Sequence, residues 1–415
     1  MVGSRAVEKQ QKTVLGVVLL LLFGALACCG LTVAIFAWSG YQDALKDAEA
    51  ALARPDAGLE ADEAADPTPP EATDDAPVAD APTEADVPEA PEEPVLPELP
   101  ATWAEAKGKV LVTVRERIFV ELLEIRGGKT PLLQRPLADD LVELAVFDGP
   151  EAMQFLSTEQ VGAWGQEPEA VFEHGRKQLA ARSKKAFVTR APGVYESAWA
   201  DNYDLGRIVL FDLVRKLKVK GDPVLFIPQR DHLIITGAED EKGLEVAGEL
   251  VDERLRLDKP LSGRGWQLTA SGLEPWTPEP DTLLATLRLE ALAQDANEQK
   301  KALDEKFTQA GADIFVGTTL FVEDDEGLKH TYAVWTKGAV TLMPRAEFVA
   351  FVDVDMPEAD RVVAAAPWED VEKRVGGKMK REAELWPVRY RISSFPDKKT
   401  LGAIGTHPFF LRNKQ

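Results

Sequence analysis

The chain has 415 residues and a formal net charge of −22, and its length predicts two or three domains. Acidic residues outnumber basic ones by 70 to 48, and no basic patch occurs in the sequence, which excludes nucleic acid as an expected partner. The two cysteines, Cys28 and Cys29, are adjacent in one apolar segment, so the rest of the chain has no disulfide, cysteine nucleophile or cysteine metal site.

An apolar segment follows the basic flank of residues 1–13. Residues 14–38 (VLGVVLLLLFGALACCGLTVAIFAW) form a run of 25 without a charge. About 20 residues suffice for a helix to cross a hydrocarbon core of roughly 30 Å. Trp38 and Tyr41 stand where an interfacial aromatic belt is expected. The pattern predicts a single transmembrane helix over 14–38.

Two alternatives stay open for this segment. Ala25-Leu26-Ala27 has the small-residue pattern of a signal-peptide cleavage site, and Cys28 could be lipidated after cleavage. Both alternatives leave an apolar run at the mature N-terminus, so an uncleaved anchor is favoured. More positive charge precedes the helix than follows it, which predicts a cytoplasmic N-terminus and an extracytoplasmic body.

Residues 39–100 form an acidic, proline-rich linker. From residue 55 to residue 100 the chain holds fifteen Asp or Glu, eleven prolines and no Lys or Arg. Such a composition buries too little apolar area to offset its conformational entropy. We therefore predict disorder from about residue 55, with the segment acting as a spacer, or alternatively as an acidic docking strip for a basic partner.

The remaining residues predict a globular α+β body with mainly antiparallel sheets. We divide it into a domain at 101–257, a Gly- and Pro-rich connector at 258–281 and a second α+β subdomain at 282–415. Alternating apolar residues predict strands, and apolar stripes of helical period predict helices. The main predicted helices cover 167–182, 204–217, 239–255 and 282–307, and the main strands cover 141–147, 153–156, 223–227, 233–236 and 329–335.

Three stretches together resemble a known family. They are NYDLGRI at 202–208, the run from Asp222 to Ile235 that contains DPV and IPQRDHLII, and the capped helix start at 156–160. The region 138–255 resembles the YtpQ-like family of bacterial proteins, in which a Gly-Tyr-Asp-Ala-Ser-Arg-like helix start precedes a similar hairpin. The rest of the body resembles an extension found in some relatives.

The resemblance implies an α+β fold, and it implies no activity because none is established for the family. This sequence departs from the family pattern at Asn202 and Gly206, where Gly and Ser are usual, and by its membrane anchor. The family's best-known members lack an anchor and are cytoplasmic. The resemblance therefore opposes the outward orientation that the flanking charges predict.

Two clusters are candidate catalytic groups. Asp204 and Arg207 are three residues apart and could pair on one helix face, either as a functional pair or as a helix cap with its surface partner. Arg230, Asp231 and His232 lie between two predicted strands. A histidine beside an aspartate meets the minimum for acid–base chemistry, although a hairpin turn explains the same residues.

Other catalytic and metal motifs are absent from the sequence, and no cofactor or metal is predicted. The four histidines are far apart in the chain. The acidic run 323–326 lacks the ligand spacing of calcium loops and predicts a hairpin tip. The cluster GRGW at 263–266 predicts a packed turn.

The favoured function is a membrane-tethered binding or scaffold module at the cell envelope, with an unidentified protein partner. A hydrolase that uses the five charged candidates is the first alternative, and a cytoplasm-facing anchored regulator is the second. Convergence of the five side chains on one pocket would favour the enzyme.

Overall fold

A computed structural model describes residues 99–127, 131–150 and 152–411, all of which belong to one compact unit of the chain. The fold is α+β with mainly antiparallel sheets, as the sequence predicted. The predicted transmembrane helix and nearly all of the predicted linker lie outside the described residues. Within the described ranges, no helix is both long enough and apolar enough to cross a bilayer.

The helices and strands follow one another in a mixed order. The α-helices are α1 (Trp103–Ala106), α2 (Arg117–Ile125), α3 (Thr158–Ala163), α4 (Pro168–Arg182), α5 (Phe211–Val214), α6 (Glu241–Leu255), α7 (Leu283–Gln309), α8 (Trp368–Val375) and α9 (Lys398–Ile404). The first ten strands are β1 (Val110–Glu116), β2 (Gln134–Ala138), β3 (Leu141–Asp148), β4 (Met153–Phe155), β5 (Val188–Ala191), β6 (Val194–Glu196), β7 (Pro223–Gln229), β8 (His232–Gly237), β9 (Gly265–Leu268) and β10 (Leu273–Trp276). The others are β11 (Phe315–Val316), β12 (Leu320–Glu323), β13 (Lys329–Thr336), β14 (Thr341–Pro344), β15 (Phe348–Val352), β16 (Val362–Pro367), β17 (Met379–Glu382) and β18 (Arg389–Ile392).

The strands form four sheets. The first has the order β1-β3-β2, with β4 also paired to β3, and the second has the order β10-β9-β7-β8-β6-β5. The third is β11-β14-β18-β17 and the fourth is β12-β13-β15-β16. Neighbouring strands are antiparallel except for the parallel pairs β11–β14 and β13–β15. Strand β17 therefore lies at one edge of the third sheet.

Helix α7 contributes to two separate hydrophobic clusters of the body. Near its start, Leu284 and Leu287 pack into a core cluster with residues of β7, β8 and α6. Near its end, Ala302 and Leu303 pack with residues of α2, β11 and β14. The helix begins after Thr282, whose hydroxyl accepts a hydrogen bond from the backbone N–H of Ala285 at 3.2 Å. Its length lets one helix contribute to both cores.

A buried arginine fixes the third sheet to α7. Arg389 is fully buried and donates to the side-chain oxygen of Gln299 at 2.6 Å. It also donates to the backbone carbonyls of Gly317, Leu342 and Ala296. Burial lowers the pKa of Arg389 to about 10. The guanidinium thus donates to uncharged acceptors on α7, on β14 and directly after β11. No sequence pattern predicted this structural role.

The predicted helix at 204–217 is broken in the structure. Residues 205–209 form a 3₁₀ turn in which every side chain is buried, and α5 follows after an irregular Leu210. A Cβ on Gly206 would lie 2.7 Å from the carbonyl oxygen of Val112. Glycine therefore permits the turn to pack against β1, which an amphipathic surface helix would not do.

The predicted connector at 258–281 contributes two strands to the second sheet. Strand β9 pairs with β7, and β10 pairs with β9. Trp266 is fully buried, so the tryptophan anchors this segment in the main core. The two strands were not predicted because glycine and proline dominate the local sequence.

Candidate functional site

The first candidate cluster is an internal ion-pair network. Arg207 is fully buried, and its two terminal nitrogens each donate at 2.8 Å to the carboxylate of Asp201. Its Nε donates to the hydroxyl of Ser183 at 2.9 Å, and its guanidinium lies 4.2 Å from the ring centroid of Trp199. Burial alone would raise the pKa of Asp201, but the hydrogen bonds and charge of Arg207 lower it. The ion-pair partner of Arg207 is therefore Asp201 and not Asp204.

Asp204 holds the loop that precedes it. Its carboxylate accepts backbone N–H groups of Trp199 at 3.3 Å and Asp201 at 3.4 Å. Burial raises the pKa of Asp204. The same loop contains Asn202 at φ 65°, a left-handed conformation that asparagine tolerates better than most side chains. Asp204 thus satisfies backbone donors, and its side chain is fully buried.

His232 belongs to a second network, centred on Glu196. The Glu196 carboxylate is fully buried and lies 2.7 Å from Nδ1 of His232. It also accepts from Arg254 Nε at 2.9 Å and from Arg190. Burial alone would raise the pKa of Glu196, but hydrogen bonds from Arg254 and His232 lower it. The histidine is a partner of a structural carboxylate.

Arg230 and Asp231 form the turn between β7 and β8, as the hairpin interpretation predicted. The backbone N–H of Asp231 donates to Gln229 Oε1 at 2.7 Å, and its carbonyl accepts from Ser197 at 3.3 Å. Burial and the charge of Arg230 lower the pKa of Arg115 to about 10. The five predicted residues are therefore distributed over separate networks and turns.

A buried cluster that the sequence did not predict lies where α7 meets the first sheet. Arg264 contacts Glu116, Asp140 at 3.2 Å and Asp295 at 2.8 Å. Asp140 also accepts from the indole of Trp266 at 2.8 Å. Burial alone would lower the pKa of Arg264, but the three carboxylates raise it. Burial raises the pKa of Asp295 to about 8.

Three carboxylates around one guanidinium cannot all be ionised without a surplus of buried negative charge. Burial and the neighbouring carboxylates raise the pKa of Asp295, so its neutral form is favoured in the folded protein. The cluster's members come from β1, the β2–β3 turn, the segment before β9, and α7. Only the GRGW run at 263–266 was visible in sequence. Its packing was predicted correctly, but the predicted turn was wrong, because Gly265 and Trp266 begin strand β9.

A histidine-aromatic cluster lies near the end of the described chain. His330 stacks on Phe409, with ring centroids 5.0 Å apart, and its Nε2 lies 3.2 Å from Asp324. His407 contacts Phe409 with a centroid distance of 4.1 Å. Burial and the neighbouring His330 lower the pKa of His407. Asp324 also accepts the backbone N–H groups of Glu326 and Leu328, which supports the hairpin tip predicted at 323–326.

An open groove lies beside strand β17. Its volume is about 690 Å³, and its polar lining consists of Gly376–Gly377, Lys378, Lys380, Arg391 and Ser393–Ser394. Both lysines and both serines are exposed. Arg391 donates to Glu382 at 2.6 Å, whereas Lys378 contacts the hydroxyl of Ser394 at 3.3 Å. The groove therefore presents cationic and hydroxyl donors to solvent.

Among the residues that the structure describes, no group of three or more His, Cys, Asp or Glu side chains could hold a metal ion. Comparisons of the chain with protein families, with curated proteins and with solved structures find no match.

Proposed function

We propose that this chain is a single-pass membrane-anchored binding module of the cell envelope, with a YtpQ-like α+β body. Its N-terminus is cytoplasmic, residues 14–38 span the membrane, and the acidic linker holds the body outside. The anchor is supported by 25 consecutive residues without a charge. The orientation is supported by the positive charge before that segment.

One observation carries the binding role. The groove beside β17 leaves charged donors available to a partner, whereas the candidate catalytic side chains of Asp204, Arg207 and His232 are held in internal hydrogen-bond networks. Arg207 and Asp204 are fully buried, so a substrate could reach neither without opening the core. The arrangement favours a binding module over a hydrolase.

Site-specific photo-crosslinking of the full-length chain in its native membrane tests the binding role. A photoreactive amino acid replaces Ser393 in the groove or, as a control, Lys185, which is exposed and lies between α4 and β5. The expected result is a discrete adduct from position 393 that the charge reversals Lys378→Glu and Lys380→Glu abolish. No adduct from position 393, or the same adduct from both positions, would overturn the proposal.

A reporter enzyme that is active only outside the cytoplasm, fused after Gln415, tests the orientation. The expected result is an active fusion that stays in the membrane fraction after alkaline carbonate washing. A well-expressed but inactive fusion would place the body in the cytoplasm and favour the anchored-regulator alternative. Release by carbonate would refute the span.

A further inference from the structure

The groove lies over β17 and the end of β18, and the side of β17 that faces away from β18 is an open sheet edge. In the described residues, β17 pairs with β18 on one side and with no strand on the other. The backbone groups along the open side of an edge strand can pair with an added chain. An extended peptide that binds in this way gains affinity from main-chain hydrogen bonds and specificity from alternate side chains.

Charge decides which peptide this edge accepts. Lys378, Lys380 and Arg391 line the groove. Glu382 contacts two of these cations, and Asp397 lies close enough to interact with the charge of Lys378. Glu382 lies 2.6 Å from Arg391 and 3.9 Å from Lys380. Three cations therefore face two carboxylates, which leaves the groove with a surplus of one positive charge. Lysine on an edge discourages pairing with ordinary strands, and an acidic strand removes that obstacle.

The groove also supplies hydrogen-bond donors close to the backbone. Ser393 and Ser394 are exposed beyond the end of β18, and a Cβ on Gly377 would meet no atom within 4 Å. Open space at Gly377 admits another chain. A body of 51 acidic and 43 basic residues repels long polyanions, whereas a short segment with a few carboxylates meets mainly the cationic groove.

We propose that the groove binds an extended acidic segment of a partner protein, which adds as a strand to the open edge of β17 and directs its carboxylates toward Lys378 and Lys380. This inference rests on the proposed binding function and names the class of partner. The main-chain pairing distinguishes the partner from a free phosphate or a lipid headgroup, neither of which can continue a sheet.

Fluorescence anisotropy with the full-length protein in lipid nanodiscs tests the inference. The probe is a labelled eight-residue peptide in which glutamate alternates with threonine. One matched peptide replaces glutamate by glutamine, and another keeps glutamate but carries N-methyl groups on alternate backbone nitrogens. Two surface ion pairs predict about tenfold tighter binding of the acidic peptide than of the glutamine peptide at low salt. N-methylation should also weaken binding, because it removes main-chain donors.

Two double variants separate the groove from general charge. Lys378→Glu with Lys380→Glu should lower the affinity for the acidic peptide by about tenfold or more. Lys184→Glu with Lys185→Glu makes the same change of charge at exposed residues elsewhere and should leave the affinity within about twofold. An equal loss in both double variants would overturn the inference, because it would show an effect of net charge alone.

The remaining outcomes separate this inference from the function on which it rests. Equal binding of the acidic and glutamine peptides, or full binding of the N-methylated peptide, overturns acidic strand addition. If position 393 still crosslinks a partner in the membrane, the binding function stands and its partner belongs to another class. If peptide binding and crosslinking both fail, the proposed function fails as well.

Discussion

Replacing Asp295 by Asn should remove a pH-dependent loss of folding stability that arises at the junction between α7 and the first sheet. Asp295 faces Glu116, Asp140 and Arg264, and the charge of Arg288 also reaches the group around Arg264. Burial raises the pKa of the Asp295 carboxyl to about 8 from its ordinary value of 3.8. Asparagine has nearly the same shape but carries no charge at any pH.

The folded carboxyl keeps its proton to about pH 8, whereas the unfolded one loses it near pH 3.8. Between these values the folded state holds more protons, so its stability falls as pH rises. Each pKa unit corresponds to about 1.4 kcal/mol, and four units set an upper bound of about 6 kcal/mol. Because the cluster relaxes when Asp295 ionises, and because part of the window lies below pH 5, we expect a loss of about 2–4 kcal/mol between pH 5 and pH 9.

Urea unfolding of the full-length chain at pH 5, 7 and 9, followed by tryptophan fluorescence, measures this loss. The Asp295→Asn variant should unfold at nearly the same urea concentration as the parent at pH 5 and at a higher one at pH 9. Asp304→Asn is the matched control, since Asp304 lies on the same helix, pairs with Lys300 and is partly exposed. A pH dependence that is equal in the parent and in Asp295→Asn would refute the reasoning.

Three further substitutions test other charged or titratable groups. Arg389→Met should lower the free energy of unfolding by about 3 kcal/mol or more, because Gln299 and three carbonyls lose their donor. Urea unfolding measures this change, with Arg374→Met at an exposed position as the control. A change no larger than that of the control would contradict the structural role of Arg389. Glu196→Gln should cost about 3 kcal/mol at pH 7, because Arg254 and Arg190 lose a buried counter-charge. Since the folded pKa of Glu196 is depressed, the parent should lose this stability as pH falls below about 4.5, and the variant should not. If the stabilities of the two proteins fall equally with pH, the result would count against the network. The lowered pKa of His407 means that the segment 405–411 should exchange amide hydrogens faster as pH falls through 6.5, after correction for intrinsic exchange, and His407→Phe should abolish that change; persistence of the change in the variant would assign it to another group.

Local sequence signals predicted the elements whose causes are local. The Ser157–Gln160 capping box is present, with both reciprocal hydrogen bonds at 3.1 and 2.8 Å. The helix predicted at 282–307 occurs as Leu283–Gln309, because its apolar period and its threonine cap lie in one continuous segment. The hairpin around 228–232 was also predicted, since proline, glutamine and aspartate determine turns over a few residues.

Tertiary contacts decided the ionic partners. Spacing suggested that Arg207 pairs with Asp204, but a left-handed loop brings Asp201 to the guanidinium instead. The breaks at 205–214 depend on Gly206 fitting against β1, which no helical period encodes. The YtpQ-like resemblance and the transmembrane helix remain predictions, since neither has a test in the described residues.

The sequence by itself determined the α+β class, most of the long elements and the acidic composition of the linker, because periodicity, turn chemistry and composition act over short stretches of chain. It did not determine that Glu116 and Arg264, 148 residues apart, would meet beside Asp295. Nor did it indicate that β17 would be left as a sheet edge beside three cations. The first feature arises only when distant segments of the chain are placed side by side. The second involves one local hairpin, but its edge position depends on how the other strands of the sheet are arranged.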